Sequence, residues 1–203
     1  MTTTRLNRCS WCGPDELYIK CHDTEWGRQV TDDKILFEFL ILESAQAGLS
    51  WITILRRREG YRKLFAEFDV QKVAKFTETD VNRLVLDPAI IRHRGKIEAA
   101  IQNARIFIQI QQEFGSFYNY LYQFLPNNTR IENHRNSIKD VPVVSDEAIA
   151  IAKDLKKRGM IFLAAQYAMR ICKQWEWSTI TLIIVTLEIS VLKSLLYRYL
   201  SSF

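Results

Sequence analysis

The residues with the greatest chemical potential stand near the start of the chain. Cys9-x2-Cys12 is followed by adjacent Cys21 and His22. Thiolates and imidazoles are the donors that zinc prefers, and structural sites take four of them. Neighbouring Cys21 and His22 seldom both ligate one ion, so at most three local donors can share a metal. Buried free thiols are the other reading of the same residues. A carboxylate, Glu43, stands among Leu40, Leu42 and Ala47. On an apolar helix face such a group is either turned to the surface or a desolvated functional group. Gly48-Leu49 ahead of Ser50-Trp51 either makes a simple helix–helix corner or presents an apolar residue on a tight turn. Arg92-His93-Arg94-Gly95-Lys96 and Lys156-Lys157-Arg158-Gly159 are compact cationic runs. Their spacing suits phosphates and equally suits a solvated face. Trp11, Tyr18, Trp26 and Trp51 offer flat rings on which a planar base would stack, or which would fill a core.

These side chains need a scaffold, and hydrophobic spacing predicts a helical one. Residues 1–31 are rich in Cys, Trp and turn formers and read as a loop or capping segment. Asp32 and Asp33 place carboxylates where a helix begins, at the positive end of its dipole. Ile35, Leu36, Phe39, Leu40 and Glu43 follow at helical spacing. Trp51, Ile52, Ile54 and Leu55 continue a second helix that ends in Arg56-Arg57-Arg58. Phe65, Phe68, Val73 and Phe76 predict short helical pieces, and Thr77-Glu78-Thr79-Asp80 a cap. A long helical pattern covers Ile90 to Gln112, with Ile97, Ile101, Ala104 and Ile108 on one face. Phe117, Leu121 and Phe124 predict a further helix that stops near Pro126, and residues 127–142 read as a loop. Ser145-Asp146-Glu147 opens a last helix, which closes on cations and a glycine just past its end. Strand signals are absent up to Phe162, so the class is all-α.

Composition sets the outer limits. A chain of 203 residues holds one domain with a sizeable core, or two small ones. Five Trp, eight Tyr and eleven Phe exclude a disordered chain. The net charge of +5 is compatible with a polyanionic partner. Four Cys do not make a disulfide scaffold, and Met1 to Arg8 is polar with no apolar signal region. The expected compartment is the cytoplasm. The longest apolar run, Ile180 to Val185, lies in a region interrupted by Lys173, Glu176, Glu188 and Lys193, whereas a membrane span needs ~20 mostly apolar residues. A monomer without a membrane association is expected.

Taken in order, several segments resemble one family. They are Arg8-Cys9-Ser10-Trp11, Leu17-Tyr18-Ile19, His22-Asp23-Thr24-Glu25-Trp26-Gly27 and Leu42-Glu43-Ser44-Ala45-Gln46-Ala47-Gly48-Leu49-Ser50-Trp51, then Ile90-Ile91-Arg92-His93-Arg94-Gly95-Lys96-Ile97, Asn103-Ala104 and Leu155-Lys156-Lys157-Arg158-Gly159. The pattern is similar to that of the DNA-3-methyladenine glycosylase I family, base-excision enzymes of the helix-hairpin-helix glycosylase superfamily. The resemblance covers roughly residues 5 to 162. It implies an all-helical fold that flips a damaged adenine out of double-stranded DNA, because the glycosidic bond is inaccessible inside the stack. By the same resemblance, Glu43 accepts hydrogen bonds from the lesion base. Tyr18, Trp51, Trp26 and Trp11 are the candidate pocket aromatics, and Gly48 and Leu49 fill the gap left by the flipped nucleotide. Lys157, Arg158 and Gly159 form the DNA-anchoring hairpin, and Cys9 and His22 match two ligands of a structural zinc. One pocket position departs: Cys21 stands where the family usually has an aromatic, just before the His-Asp pair.

The larger departure follows Phe162. The resemblance implies a second hairpin glycine and then Asn-Asp-His-x-x-x-Cys, which carries the other two zinc ligands. Here His134 is the last histidine, Cys172 the last cysteine, and Ala164 stands at the second glycine. Reading the coding sequence of Leu163 to Val185 two nucleotides later, suitable codons give Gly-Ser-Thr-Ile-Cys-Tyr-Ala-Tyr-Met-Gln-Ala-Met-Gly-Met-Val-Asn-Asp-His-x-x-x-Cys. The expectation is therefore a glycosylase-like domain over 1–162 and an out-of-frame tail over 163–203, produced by a one-nucleotide deletion near codon 163. A divergent but genuine C-terminus is the alternative. Ser178 to Val185, dense in β-branched residues, would be an aggregation hazard if exposed. Two of four ligands cannot close a tetrahedral zinc site, unless Cys12 or Cys21 substitutes. The functional expectation is excision of 3-methyladenine, impaired by the tail. The alternatives are a fully active enzyme that tolerates the tail, and a non-catalytic DNA- or zinc-binding module.

Overall fold

A computed structural model describes residues 8, 12–26, 28–125 and 144–162. Cys9, Trp11, the expected loop over 127–142 and the whole tail from 163 lie outside the described residues. The helices are α1 (Glu16–Thr24), α2 (Asp33–Gln46), α3 (Trp51–Leu55), α4 (Arg58–Leu64), α5 (Val70–Val73), α6 (Glu78–Leu84), α7 (Arg94–Phe114), α8 (Phe117–Tyr122) and α9 (Asp146–Lys157), with a 3-10 turn at Ala66–Phe68. No strand occurs among the described residues, in keeping with the all-α expectation. Among the same residues no helix is long and apolar enough to cross a membrane.

The first helix corrects the reading of residues 1–31 as a loop. Asp15 caps it, its side chain accepting from the Leu17 and Tyr18 amides at 3.0 and 3.4 Å. Its inward face is made by Tyr18, Cys21 and His22 rather than by aliphatic side chains, so hydrophobic periodicity does not register it.

The centre of the molecule is α2, whose residues 36–45 are all buried. A helix buried on every side needs neighbours on every side, and α3, α7, α8 and the 3-10 turn supply them. Asp32 is the N-cap, accepting from the Lys34 amide at 2.7 Å. Asp33 has a different task. It accepts from the Gln111 side chain and from the Phe117 and Tyr118 amides at 2.7, 2.8 and 3.0 Å, which satisfies the open N-terminus of α8.

The long helix α7 begins at Arg94 rather than near Ile90, because His93 is its N-cap and accepts from the Lys96 amide through Nδ1 at 3.2 Å. Its buried face runs through Ile97, Ala100, Ile101, Ala104 and Phe107, while Ile108 is only half-buried. Phe107 stacks on Phe117 at 4.1 Å between ring centroids and meets Phe37 edge-on at 5.2 Å. The 3-10 turn is conformationally expensive. Ala66, Glu67 and Phe68 have φ of 52°, 56° and 55°, which costs roughly 1–2 kcal/mol per L-residue. Burial of Phe65 and Phe68, each 1% exposed, offsets this at about 1.5–3 kcal/mol per ring.

Candidate active site

Two buried carboxylates on α2 point in different directions. Glu38 and Glu43 are 7% and 4% exposed, and five residues of helix separate them by about 140° around the axis. Glu38 is structural. It accepts from Arg58 Nε at 2.6 Å and from an Arg62 terminal nitrogen at 2.9 Å, and Arg58 also grips both Glu25 oxygens at 2.7 Å. This network ties α2 and α4 to the segment after α1. Glu43 faces away from it, one helical turn before the end of α2 at Gln46. The structure therefore turns Glu43 inward rather than to the surface.

Beside the C-terminal half of α2 stands α3, and α1 packs against α3. The Tyr18 hydroxyl accepts from the Ile52 amide at 3.2 Å, meeting one of the donors that the start of α3 leaves without an intrahelical partner. Trp51, the preceding residue, is buried. Tyr18 and Trp51 are thus brought to the same junction from positions 33 residues apart in the chain. Trp26 is half-buried after α1, its amide donating to the Cys21 carbonyl at 2.9 Å. Cys21 is itself buried in the core.

The connection from α2 to α3 is a type II turn. Ala47 has φ −44° and ψ 116°, Gly48 has φ +78°, and the Leu49 amide donates to the Gln46 carbonyl at 2.6 Å. The third turn position needs a positive φ, which glycine adopts without penalty. A Cβ on Gly48 would meet nothing within 4 Å, so the backbone there is open to an approaching partner. Leu49 follows at 39% exposure. Of the two sequence readings, the exposed apolar tip is the one the structure adopts.

The hairpin after α9 closes as a Schellman motif. The Gly159 amide donates to the Lys156 carbonyl and the Met160 amide to the Leu155 carbonyl, both at 2.9 Å, with Gly159 at φ +96° and Leu155 and Met160 buried together in the core. Asn103, 1% exposed, holds the next residue at both ends. Its amide donates to the Ile161 carbonyl and its oxygen accepts from the Ile161 amide, each at 3.0 Å. Replacing Asn103 by Ala is expected to destabilise the fold by about 1–3 kcal/mol. The urea midpoint measures this, and an unchanged midpoint would rule out the clamp.

The cationic runs divide into separate tasks. Arg158 is committed within the chain, to Glu113 at 2.6 Å and Asp154 at 2.7 Å, with its guanidinium 5.2 Å from the centroids of Phe114 and Tyr120. Lys157 is exposed. Arg94 pairs with Glu78 at 2.6 Å and Glu98 at 3.4 Å, and Arg92 is exposed. Lys96 turns inward, where its ammonium donates to the Ala45 and Ala47 carbonyls at 2.8 and 2.7 Å.

Among the described residues, no three His, Cys, Asp or Glu side chains gather where they would hold a metal. Cys12 and Cys21 are both buried. His22 Nδ1 lies 3.0 Å from Asp23 Oδ1, and hydrogen bonds first from Arg8 and then from His22 hold the Asp23 carboxyl down at about 2. A carboxylate on one ring nitrogen is the usual support for an imidazole that ligates through the other. The described residues do not by themselves fit a four-ligand site, and Cys9 lies outside them.

Lys96 and Asn103 are site-building residues for which sequence reasoning assigns no individual role. A single amide on the buried side of a long helix was the available signal for Asn103. Nothing in the pattern separates Lys96 from its exposed neighbours.

Comparison with known proteins identifies the relatives of this chain. The methyladenine glycosylase family model matches residues 11–172. DNA-3-methyladenine glycosylase 1 of Escherichia coli strain K12 is 46% identical over 158 residues, covering 78% of this chain and 84% of that protein. DNA-3-methyladenine glycosylase of Haemophilus influenzae is 40% identical over 156 residues, covering 77% and 84%. The 3-methyladenine DNA glycosylase I structure from Staphylococcus aureus superposes with a TM-score of 0.80 at 34% identity, covering 89% of this chain and 95% of that one. A family match over four-fifths of the chain, close relatives over most of its length and one shared fold agree: this chain belongs to the methyladenine glycosylase family.

Proposed function

We propose that this protein removes 3-methyladenine from double-stranded DNA by hydrolysing its N-glycosidic bond. The observation that carries the reading is the placement of Glu43. It is buried at the end of α2, one turn before the open Gly48-Leu49 tip, and α3, which carries Trp51, packs against α2. A base flipped out of the duplex needs a filler for the gap it leaves and a slot that receives it. Leu49 suits the first role, and the Trp51 and Tyr18 rings with Glu43 suit the second. Methylation at N3 makes the purine cationic and a good leaving group, so a modest catalyst suffices. Each ring face contributes about 0.5–2 kcal/mol to a stacked cation, and Glu43 accepts hydrogen bonds from the base edge.

Lys157 and the exposed Gly159 turn serve as the phosphate anchor, with Arg158 bracing the hairpin through Glu113 and Asp154. The protein acts as a monomer in the cytoplasm. Its zinc content is sub-stoichiometric, because Cys9 and His22 are the two family ligands retained. The altered segment from 163 lowers activity through weaker DNA anchoring and a missing metal. The test is release of labelled 3-methyladenine from alkylated duplex by the purified chain, compared with DNA binding by the same preparation. Release above the uncatalysed rate supports the enzyme. Retained binding without release would favour a non-catalytic DNA-binding module.

A further inference from the structure

Lys96 is held where local electrostatics disfavour it. It lies in the first turn of α7, two residues after Arg94, where a cation opposes the positive end of that helix's dipole. Burial alone holds its ammonium below the usual lysine value. Among the described residues no carboxylate lies within ion-pair distance of it. Its partners are the Ala45 and Ala47 carbonyls, at 2.8 and 2.7 Å.

Those two carbonyls belong to the end of α2, whose own last turn carries no basic residue. A helix C-terminus leaves its last carbonyls without intrahelical donors and carries the negative end of the dipole. The Ala47 carbonyl is also the central peptide of the type II turn. Types I and II differ by inversion of that peptide, which reverses the direction of this oxygen and the sign of φ at the third position. A donor fixed on the Ala47 oxygen therefore selects the conformation in which Gly48 has φ +78° and Leu49 is the exposed tip.

We propose that Lys96 is the positioning residue of the Gly48-Leu49 turn. It locks the turn peptide that aims Leu49, and it places a positive charge at the end of α2 that would otherwise repel phosphates. This rests on the reading that Leu49 enters the duplex where a nucleotide has left it. Because the effect is on docking, it is read on DNA binding without chemistry.

The experiment measures affinity for a duplex containing a tetrahydrofuran abasic analogue, for the wild-type chain, Lys96→Met, Leu49→Ala and the double variant. Lys96→Met keeps the apolar stem and removes the charge and donors. It is expected to bind about tenfold more weakly. If Lys96 acts through the turn, the double variant binds no more than about twofold more weakly than the worse single variant. Affinity for free 3-methyladenine, followed by tryptophan fluorescence, is expected to stay at the wild-type value, which a general loss of structure would not allow. Should Lys96→Met fail to fold by near-ultraviolet circular dichroism, Lys96→Gln replaces it, with a smaller loss expected. Wild-type DNA affinity in the variant, fully multiplicative losses in the double variant, or a parallel fall in free-base binding would each overturn the assignment. If the wild-type chain binds this duplex but excises nothing, the proposed activity fails while the role of Lys96 remains measurable.

Discussion

Glu43→Gln is expected to slow release of 3-methyladenine roughly 30- to 150-fold in single-turnover assays, corresponding to about 2–3 kcal/mol. The substitution keeps the shape of the side chain and removes its charge. Glu43 is 4% exposed, so its interaction with a cationic base is screened little by solvent. A hydrogen bond to a charged group is worth about 1.5–3 kcal/mol, and the glutamine amide retains part of it. The loss is expected to divide between the rate of the bound complex and base affinity, because the base is cationic before the bond breaks and remains held afterwards. Damage confined to the fold would lower the amount of active protein without changing the rate per active site, so active-site titration accompanies the assay. Wild-type release by the glutamine variant would remove Glu43 from the mechanism and with it the main support for the catalytic reading.

Restoring the alternative frame from codon 163 is expected to bring zinc to one per chain, raise solubility and raise the melting temperature by about 6–12 °C, taking a gain of about 3 kcal/mol in a domain of this size. Metal binding is coupled to folding, with apparent values of about 10–16 kcal/mol in small zinc modules. In this chain the helical core folds around α2, so only part of that free energy is at stake. The restored segment supplies a histidine and a cysteine four residues apart, which lie on one helical face and complete a tetrahedral set with Cys9 and His22. It also replaces the β-branched run of Ser178 to Val185. Total metal analysis, calorimetry and soluble yield of the two chains side by side give the answer. One zinc per chain in the protein as it stands, lost on Cys9→Ser, would show that replacement ligands exist and would remove the frame argument. Sequencing codon 163 in the gene and in near relatives tests it independently, and intact relatives with the same tail in frame would end it.

The all-α class, the start of α2 at Asp33, the cap of α6 at Thr77 and the end of α9 at Gly159 were legible from the chain alone. Each depends on interactions within a few residues. A capping side chain meets an amide two or three positions on, a glycine accepts a positive φ, and apolar residues recur with the pitch of one helix. The candidate site residues Glu43, Trp51, Gly48 and Leu49 could be nominated for a related reason: they sit in one continuous stretch of ten residues that carries the family resemblance. Composition and pattern left open whether Glu43 faces in or out and whether Gly48-Leu49 is a plain corner. Only the packing of α3, α7, α8 and the 3-10 turn around α2 decided both.

The same holds for the cations. In sequence Arg92, Arg94, Lys96, Lys157 and Arg158 are members of two equivalent runs. In three dimensions Arg158 is bound to Glu113 from 45 residues away, Lys96 to carbonyls about 50 residues away, and Arg94 to Glu78. Charge is a property of the residue, but its partner is a property of the fold. The helix α1 was hidden because Tyr18, Cys21 and His22 acquire a buried face only once α3 is beside them. What the chain by itself determined is the local geometry of its helices and turns, since short-range hydrogen bonding and steric preference suffice for these. What tertiary structure decided is which polar groups are desolvated and what they face, because desolvation needs surfaces brought together from distant parts of the chain.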